Sequence, residues 1–469
     1  MKARISHLLR NFLNIALFAG VSTSALAADK PNIIFILTDD LGFNQVGAYG
    51  NTPIKTPNLD QMASNGIRFD QAYSGNTVCS PSRVSLFTGR DGRYMANNSN
   101  TVELNHKDIT LAHVLKYADY DTTLIGKYSI GQQMGVTDPL AMGFDTWYGM
   151  YSILEGHRQY PQILWRDGQK IRIKENEGGR KGAYAQRLFT DEAISYIKQA
   201  RENPFFMMLT YSSPHAELGV PEQFSEQYQL SEKPYHGMTG GTPADKYAAY
   251  YPEPVEQPNA VLAGMVSALD HYVGEILDTL EQQGQLDNTI IIFTSDNGPH
   301  DEGGADPEFF QASAPYKGQK RDLYDGGIHV PMILQWPEKI KQGRIDNTPW
   351  AFADVLPTLA DIADVNLNMV PRVSTNGVSI KGLLSDKPTP MQERILYWEF
   401  SKQVGDPNSG IIGDTYQAAR KGDWKAVRYG FDAPLELYNI IADPNESKNL
   451  AKDHSELAEQ FLQLFEQYK

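Results

Sequence analysis

Short apolar runs followed directly by polar residues mark the first two thirds of the chain. Four of these runs have the length and continuous apolar character of strands buried on both faces, as in a parallel sheet: 33–37, 205–209, 290–293 and 331–336. Two longer segments, 183–200 and 260–283, carry apolar residues at helical spacing. This alternation predicts an α/β fold with a large, mostly parallel sheet sandwiched by helices.

Three of the four predicted strands end in polar residues. Asp39 and Asp40 follow the first run, His215 lies beyond the second, and Asp296 and Asn297 follow the third. Open α/β sheets bind their ligands outside the carboxyl ends of their strands. We therefore expect these side chains to share one site.

The pattern changes after about residue 370. Short strand candidates now follow one another without long helices between them, at 395–400, 416–421, 424–429 and 435–438. Residues 455–468 then form a predicted closing helix. We expect a catalytic α/β domain over residues 28–370. A smaller α+β subdomain, an antiparallel sheet with a packed helix, would span residues 371–469.

Residues 1–27 have the pattern of an export signal. Lys2, Arg4 and Arg10 form a basic start, residues 12–21 are mostly apolar, and residues 25–27 form a small-x-small cleavage site. The apolar run is too short to span a bilayer comfortably, although a membrane anchor stays the alternative. We expect an exported protein, periplasmic or secreted, with no membrane association after signal cleavage.

Charge and cysteine content narrow the class of protein. The formal charge is −15, and the predicted signal holds three cations and no acid, so the remaining chain carries −18. That sign argues against nucleic acid or an anionic membrane as a partner, but not against an anionic substrate held by local cations. Cys79 is the single cysteine, so no disulfide forms within the chain.

The surroundings of Cys79 carry a family resemblance. The local sequence is Val78-Cys79-Ser80-Pro81-Ser82-Arg83. It resembles the C-x-P-x-R core of type I, formylglycine-dependent sulfatases of the alkaline phosphatase superfamily, and residues 84–90 continue the resemblance. Three further motifs follow in the family's order, so the resemblance extends over about residues 32–450. It implies an alkaline-phosphatase-like fold.

The resemblance implies a specific nucleophile. In the family, a maturation enzyme oxidises the cysteine to formylglycine, an aldehyde whose hydrate attacks sulfur. One hydroxyl would form a sulfated intermediate, and the second hydroxyl would expel sulfate and regenerate the aldehyde. A serine at this position would remain a stable sulfate ester. Cys79 is therefore the predicted catalytic residue, and this chemistry requires the maturation enzyme as a partner.

Two pairs of neighbouring oxygen donors are candidate metal ligands. Asp39, Asp40, Asp296 and Asn297 offer oxygen ligands without sulfur or imidazole, a set that suits a hard cation such as Ca2+. Each pair alone is also compatible with an ordinary turn. Both pairs match the family's calcium positions, and residue 79 adjoins them in the family. The resemblance thus implies a calcium site formed by these four residues and Cys79.

Cations and hydrogen-bonding groups complete the predicted site. Lys127 lies in residues 126–131, and Lys320 in residues 317–320 ahead of a further motif at residues 324–331. Preorganised cations stabilise the charge of a sulfate ester as its S–O bond breaks. The implied catalytic residues are Cys79, Arg83, Lys127, His215, His300 and Lys320. The implied substrate contacts are Lys127, His215, Lys320 and Ser129.

Ser129 departs from the family pattern. The family usually has a histidine there, which contacts the hydrated aldehyde. Serine forms hydrogen bonds but is a poor base at neutral pH. Lys127, Asp296 or a water molecule can replace the histidine, and the sequence does not decide between them.

The segment at residues 298–307 resembles that of carbohydrate-acting sulfatases. His300 or His215 can protonate the leaving sugar oxygen. We therefore expect hydrolysis of O-sulfate esters on a sulfated polysaccharide or its oligosaccharides. Two alternatives stay open: a phosphonate or phosphodiester hydrolase of the same superfamily, and a non-catalytic binder of sulfated glycans, which Ser129 alone suggests.

Overall fold

The computed structural model describes residues 30–95, 98–131, 134–239, 242–341, 343–385, 391, 393–403 and 412–468. The predicted signal at residues 1–27 lies outside the described residues, so it stays a prediction.

The strands are, in chain order, β1 (Asn32–Asp39), β2 (Ile67–Phe69), β3 (Ala72–Tyr73), β4 (Asp121–Lys127), β5 (Thr146–Met150), β6 (Ile163–Arg166), β7 (Gln169–Arg172), β8 (Phe205–Pro214), β9 (Met238–Thr239), β10 (Thr242–Pro243), β11 (Thr289–Ser295), β12 (Met332–Gln335), β13 (Arg344–Asp346), β14 (Trp350–Ala351), β15 (Ile395–Gln403), β16 (Ile412–Lys421), β17 (Trp424–Tyr429) and β18 (Glu436–Asn439). The α-helices are α1 (Pro57–Asn65), α2 (Cys79–Thr88), α3 (Leu111–Lys116), α4 (Ala185–Ile197), α5 (Glu222–Ser225), α6 (Pro258–Gln282), α7 (Asp325–Ile328), α8 (Val355–Ile362) and α9 (Ser455–Gln467).

A ten-stranded sheet forms the centre of the molecule, with the strand order β13-β2-β12-β11-β1-β8-β4-β5-β6-β7. Its five middle strands, from β11 to β5, are all parallel to their neighbours. The antiparallel strands β12 and β6 border this group on its two sides. The carboxyl ends of the middle strands therefore lie along one edge of the sheet.

Both faces of the sheet are buried because the side chains of each strand alternate between two cores. Ile33, Phe35 and Leu37 of β1 pack in a core with α2, α3 and α8. Ile34 and Ile36 pack in the opposite core with α1, α4 and α6. This two-sided burial explains why β1 is a continuous apolar run rather than an alternating one.

A second sheet follows near the C terminus, in the order β15-β16-β17-β18, and all its pairs are antiparallel. One face packs on α9 through Phe461 and Phe465. Trp398 on the other face packs with Tyr73 and Leu323 of the large unit. The predicted fold class, a large mostly parallel sheet plus a small antiparallel sheet with its helix, is confirmed.

The predicted strand at residues 331–336 exists as β12, but its expected parallel orientation is wrong. β12 runs antiparallel to β11, with Thr294 opposite Met332. After β11 the chain does not return to the end of the sheet at which β11 begins. It stays at the end where the parallel strands have their carboxyl termini, places Asp296, His300 and Lys320 there, and enters β12 from that end. The predicted boundary after residue 370 stays a prediction.

Helix α6 is long and apolar enough, by length and composition, to cross a membrane. However, 78% of its most apolar window is buried inside the protein. Val266 and Leu269 are among its fully buried residues. These features are typical of the core helix of a large α/β domain.

A buried charge network ties the small sheet to the large unit. The Lys425 ammonium of β17 lies 2.6 Å from Asp325 Oδ1 and 3.0 Å from Glu446 Oε1, and none of these side chains is more than 2% exposed. The backbone N–H of Asp325 donates to Glu446 Oε2 at 2.6 Å. The hydroxyl of Tyr73 donates to Asp325 Oδ2 at 2.9 Å. One ammonium thus compensates two buried carboxylates.

Replacing Lys425 with methionine should destabilise the protein strongly. The change leaves Asp325 and Glu446 buried without their cation, and breaking a buried pair in this way costs about 3–5 kcal/mol. Denaturant unfolding should show a clearly lower midpoint for Lys425→Met. The matched control, Lys421→Met at an exposed position of the same sheet, should unfold like the unmodified protein. Equal midpoints for the two variants would contradict the proposed role of the network.

Candidate active site

The carboxyl ends of four adjacent parallel strands meet at one cavity. β1 ends at Asp39, β4 ends at Lys127, and β11 leads directly to Asp296. β8 ends at Pro214, immediately before His215. Because β11, β1, β8 and β4 are consecutive in the sheet, these polar side chains are neighbours in space although up to about 250 residues separate them in sequence.

Helix α2 brings Cys79 to the same edge. Cys79 is the first residue of the helix, and Gly89 ends it with a left-handed φ of 69°. The Cys79 thiol donates to Asp39 Oδ1 at 3.2 Å and lies 3.9 Å from Asp40 Oδ1. Burial raises the pKa of this thiol, and the carboxylates of Asp296 and Asp39 raise it further. The unmodified side chain is therefore a protonated thiol.

The two predicted pairs of metal ligands, Asp39 with Asp40 and Asp296 with Asn297, lie side by side. Asp40 has a left-handed backbone with φ 66°, and its N–H donates to Asp296 Oδ1 at 3.1 Å. Asn297 Nδ2 donates to Asp40 Oδ1 at 2.6 Å. All four side chains are at most 1% exposed. The sequence thus identified residues that the fold brings together.

Each buried carboxylate has its own cation. Lys127 Nζ lies 2.6 Å from Asp39 Oδ2, Lys320 Nζ lies 2.7 Å from Asp40 Oδ2, and Arg83 Nε lies 2.9 Å from Asp296 Oδ2. Burial alone would raise the pKa of Asp39, but the charges of Lys127 and Arg83 hold it well below its usual range. The floor of the cavity is therefore a network of buried carboxyl groups paired with cations, almost without access to solvent.

The donor set of this cluster fits a hard divalent cation. Asn297 Oδ1 is buried and has no hydrogen-bond partner among the described residues. Burial and the charge of Asp39 raise the pKa of Asp296 to about 7, although Arg83 lowers it. Further positive charge beside these oxygens would hold Asp296 ionised and give Asn297 Oδ1 a partner.

A second, overlapping group of donor atoms also lies close together. One donor atom each of Asp39, Asp40, Cys79 and His215 lies within 4.8 Å of the others. However, the Nε2 lone pair of His215 already has a partner, because it accepts a hydrogen bond from Lys320 Nζ at 3.1 Å. We therefore assign the candidate metal ligands to the carboxylates and the amide rather than to His215.

The two predicted histidines stack in one column. Burial and the charge of Lys320 lower the pKa of His215 well below its ordinary value, so its ring is neutral. His300 lies behind it, with ring centroids 5.5 Å apart. His300 Nε2 donates to the Pro214 carbonyl at 3.1 Å, and its Nδ1 accepts from the Glu302 N–H at 3.1 Å. Both His300 nitrogens are thus engaged with the backbone, and its role as proton donor stays a prediction.

Ser129 lines the same cavity as Cys79 and Lys127. It has a left-handed backbone with φ 59°. Its Oγ donates to the Ser152 carbonyl at 3.4 Å, and its own carbonyl accepts from Ser80 Oγ at 3.3 Å. The side chain is 3% exposed. Its hydroxyl is thus occupied by the backbone.

Sequence reasoning assigned no role to the other residues that line the cavity, which are Asn100, Ile153, Leu154, His157, Tyr247, Tyr250, Tyr251, Glu302 and Arg321. Glu302 Oε1 lies 3.2 Å from Lys320 Nζ and 2.6 Å from Arg321. Burial would raise the pKa of Glu302, but Lys320 and Arg321 hold it well below its usual range. The sequence feature that could have identified Glu302 is its position two residues after His300. His157 ends a one-turn 3-10 helix, Glu155–His157, and the sequence there carries no such signal.

The comparisons with known proteins agree with this geometry. Residues 31–365 match the sulfatase family, and residues 318–468 match the family described as N-sulphoglucosamine sulphohydrolase, C-terminal. The chain belongs to the sulfatase family, and the enzyme is a sulfuric ester hydrolase.

Named relatives cover nearly the whole chain. An N-acetylgalactosamine-6-O-sulfatase of Bacteroides thetaiotaomicron is 25% identical over 99% of this chain and 99% of its own length. An N-acetylglucosamine-6-O-sulfatase of the same organism is 26% identical over 100% and 92%, respectively. The crystal structure of Ps i-CgsB in complex with k-i-k-neocarrahexaose is 25% identical, with a TM-score of 0.76 over 94% of this chain and 93% of that chain.

Lys127 and Ser129 should differ sharply in their contribution to hydrolysis. Lys127→Ala removes the cation 2.6 Å from Asp39, and loss of one preorganised electrostatic group costs about 100-fold or more. Ser129→Ala removes one hydrogen bond worth on the order of 1 kcal/mol. The measurement is kcat/KM of both variants on one sulfate ester. A loss for Ser129→Ala as large as that for Lys127→Ala would place Ser129 in the catalytic machinery.

Proposed function

We propose that this protein is an exported, calcium-dependent sulfatase that removes sulfate esters from a sulfated polysaccharide or its oligosaccharides. Its nucleophile derives from Cys79 by conversion to formylglycine. The observation that carries the proposal is the position of Cys79. It stands at the start of α2 in a cavity that Lys127, His215 and Lys320 also line.

The cations of this chain are held in place before a substrate arrives. Lys127 Nζ is fixed by Asp39, and Lys320 Nζ is held between Asp40 Oδ2 at 2.7 Å and His215 Nε2 at 3.1 Å. Anionic sulfate oxygens entering the cavity meet these ammonium groups. Because the groups need no reorganisation, they stabilise the charge that develops as the S–O bond breaks.

Residue 79 has a hydrogen-bond acceptor beside it, since Asp39 Oδ1 accepts from the thiol at 3.2 Å. The same carboxylate is available to a hydroxyl carried by the Cβ of residue 79. Hydrated formylglycine at this position would supply one hydroxyl to attack sulfur and a second to expel sulfate. Asp39 thus orients this donor, while Lys127 keeps Asp39 ionised.

The residues that would hold the metal are Asp39, Asp40, Asp296 and Asn297. Ca2+ supplies positive charge beside residue 79 when it is bound. The chain's part is to present oxygen ligands that are already aligned by the Asp40 N–H and the Asn297 amide.

A sulfated sugar is the substrate that the surroundings support. The relatives named above act on 6-sulfated amino sugars by their names, and the carrageenan complex holds an oligosaccharide. In this chain Tyr247, Tyr250 and Tyr251 line the cavity, and aromatic rings pack on the apolar faces of sugars.

Export to the periplasm or medium would give the enzyme access to a polysaccharide. The pattern of residues 1–27, typical of an export signal, supports this location.

The enzyme should hydrolyse sulfated saccharides in preference to phosphorus esters. The test is a panel of sulfated mono- and oligosaccharides with assigned sulfate positions, alongside a phosphodiester and a phosphonate monoester. Sulfate release is measured by ion chromatography. We expect the highest kcat/KM on a sulfated saccharide. Faster hydrolysis of a phosphorus ester, or saccharide binding without turnover, would overturn the proposed function.

Cys79 should carry formylglycine when the chain is produced with a maturation enzyme. Mass spectrometry of the peptide containing Cys79 should show the aldehyde and its hydrate, and Cys79→Ala should have no measurable turnover. Production without the maturation enzyme is the matched control and should yield the thiol and an inactive protein. Full activity of protein with an unmodified thiol would rule out this nucleophile.

Removal of calcium should lower both stability and activity. A metal that binds only the folded state stabilises it, so chelation should lower the melting temperature, and added Ca2+ should restore it. Asp296→Asn removes one anionic ligand and should make the melting temperature insensitive to chelation. Control measurements use Asp361→Asn, an exposed acid on α8, which should keep the response. A melting temperature unaffected by chelation in the unmodified protein would contradict the calcium site.

A further inference from the structure

His157 is a side chain of the cavity that the proposed chemistry does not yet use. It lines the cavity together with Cys79, Lys127 and His215. Its ring lies flat on the ring of His215, with centroids 4.3 Å apart and planes 16° from parallel. His157 therefore forms the outer member of the histidine column whose inner members are His215 and His300.

The backbone holds His157 against two groups of the site. A Cβ on Gly156 would come within 2.8 Å of Lys127 Cδ and Cε, so this glycine lets the loop pack directly on the Lys127 side chain. The His157 carbonyl accepts from the Glu217 N–H at 3.0 Å, which ties the loop to the segment after His215. These two contacts fix the backbone of His157, and the stacking on His215 orients its ring.

The ring nitrogens of His157 have no hydrogen-bond partner among the described residues, in contrast to those of His215 and His300. Burial lowers the pKa of His157 well below its ordinary value, and the charge of Lys127 lowers it further. At neutral pH the ring is therefore an uncharged group with one donor and one acceptor.

An uncharged imidazole suits a different part of the substrate from the sulfate group. Sulfate oxygens only accept hydrogen bonds, and Lys127 and Lys320 already face them with full charges. A sugar hydroxyl both donates and accepts, which matches the two nitrogens of a neutral ring. A site that hydrogen-bonds a hydroxyl discriminates strongly against a substrate that lacks it.

We propose that His157 is a specificity-determining residue, which hydrogen-bonds a hydroxyl of the sulfated sugar next to the sulfate ester. The inference rests on the proposed function and deepens it by naming the group that selects sugar sulfates over simple aryl sulfates. Stacking on His215 orients the ring, and the ring nitrogens hydrogen-bond the hydroxyl.

The test uses His157→Phe, which keeps a planar ring on His215 but has no nitrogen. We measure kcat/KM for the best sulfated sugar and for an aryl sulfate that has no hydroxyl. The loss on the sugar should be about 10-fold and should exceed the loss on the aryl sulfate at least threefold, mainly through KM. His157→Gln, which retains one donor and one acceptor, should recover part of the loss. His106→Phe, at an exposed histidine, is the matched control.

Equal losses on both substrates would show that the ring acts only by packing, and they would overturn the inference. If His157→Phe and His157→Gln both kept the ratio of kcat/KM on the sugar to kcat/KM on the aryl sulfate, the inference would also be overturned. A folding defect would lower kcat/KM on both substrates alike, whereas loss of the ring nitrogens would lower it mainly on the sugar. An unmodified enzyme without activity on any sulfated sugar would instead overturn the proposed function itself.

Discussion

Three carboxylates buried at adjacent strand ends impose the constraint on which the rest of the site depends. Asp39, Asp40 and Asp296 lie together with at most 1% exposure, and an uncompensated cluster of this kind would not stay ionised. Arg83, Lys127 and Lys320 compensate them one to one. Each of these cations comes from a different part of the chain, so the charge balance ties α2, β4 and the segment after β11 to β1.

The same constraint explains the role of the small C-terminal sheet. Lys320 stands only five residues before Asp325, the carboxylate that Lys425 of β17 neutralises. Trp398 donates its ring N–H to the Ser74 carbonyl at 2.9 Å, close to the start of α2. The small sheet therefore anchors both segments that deliver Lys320 and Cys79, without lining the cavity within the described residues.

Much of this arrangement was predictable because buried parallel strands are continuous apolar runs and their ends carry ligands. The runs before Asp39, His215 and Asp296 identified three of the four strands that meet at the cavity. β4 was missed because only Leu124 and Ile125 are apolar within it. The orientation of β12 was wrong because apolar character specifies burial and not direction.

The remaining lining residues of the cavity, such as His157 and Glu302, could not be identified from the sequence for a physical reason. His157 ends a single turn of 3-10 helix, and so short a segment carries no periodicity that would reveal which way a side chain faces. Its neighbours in space, His215 and Lys127, lie 58 residues after it and 30 residues before it. Glu302 stood in a segment of recognisable character, but its contact with Lys320 and Arg321 depends on the path of the chain after β11.

Hydrolysis in water enriched in oxygen-18 tests the central claim most directly, namely that this cavity acts on the sulfur of a sulfate ester. The hydrated aldehyde at residue 79 would transfer an oxygen atom that comes from water to the sulfur. The sugar would leave with the oxygen that originally bridged it to sulfur. The account predicts one heavy oxygen in the released sulfate and none in the sugar hydroxyl, as measured by mass spectrometry. Heavy oxygen in the sugar instead of the sulfate would show cleavage of the C–O bond and would contradict the account.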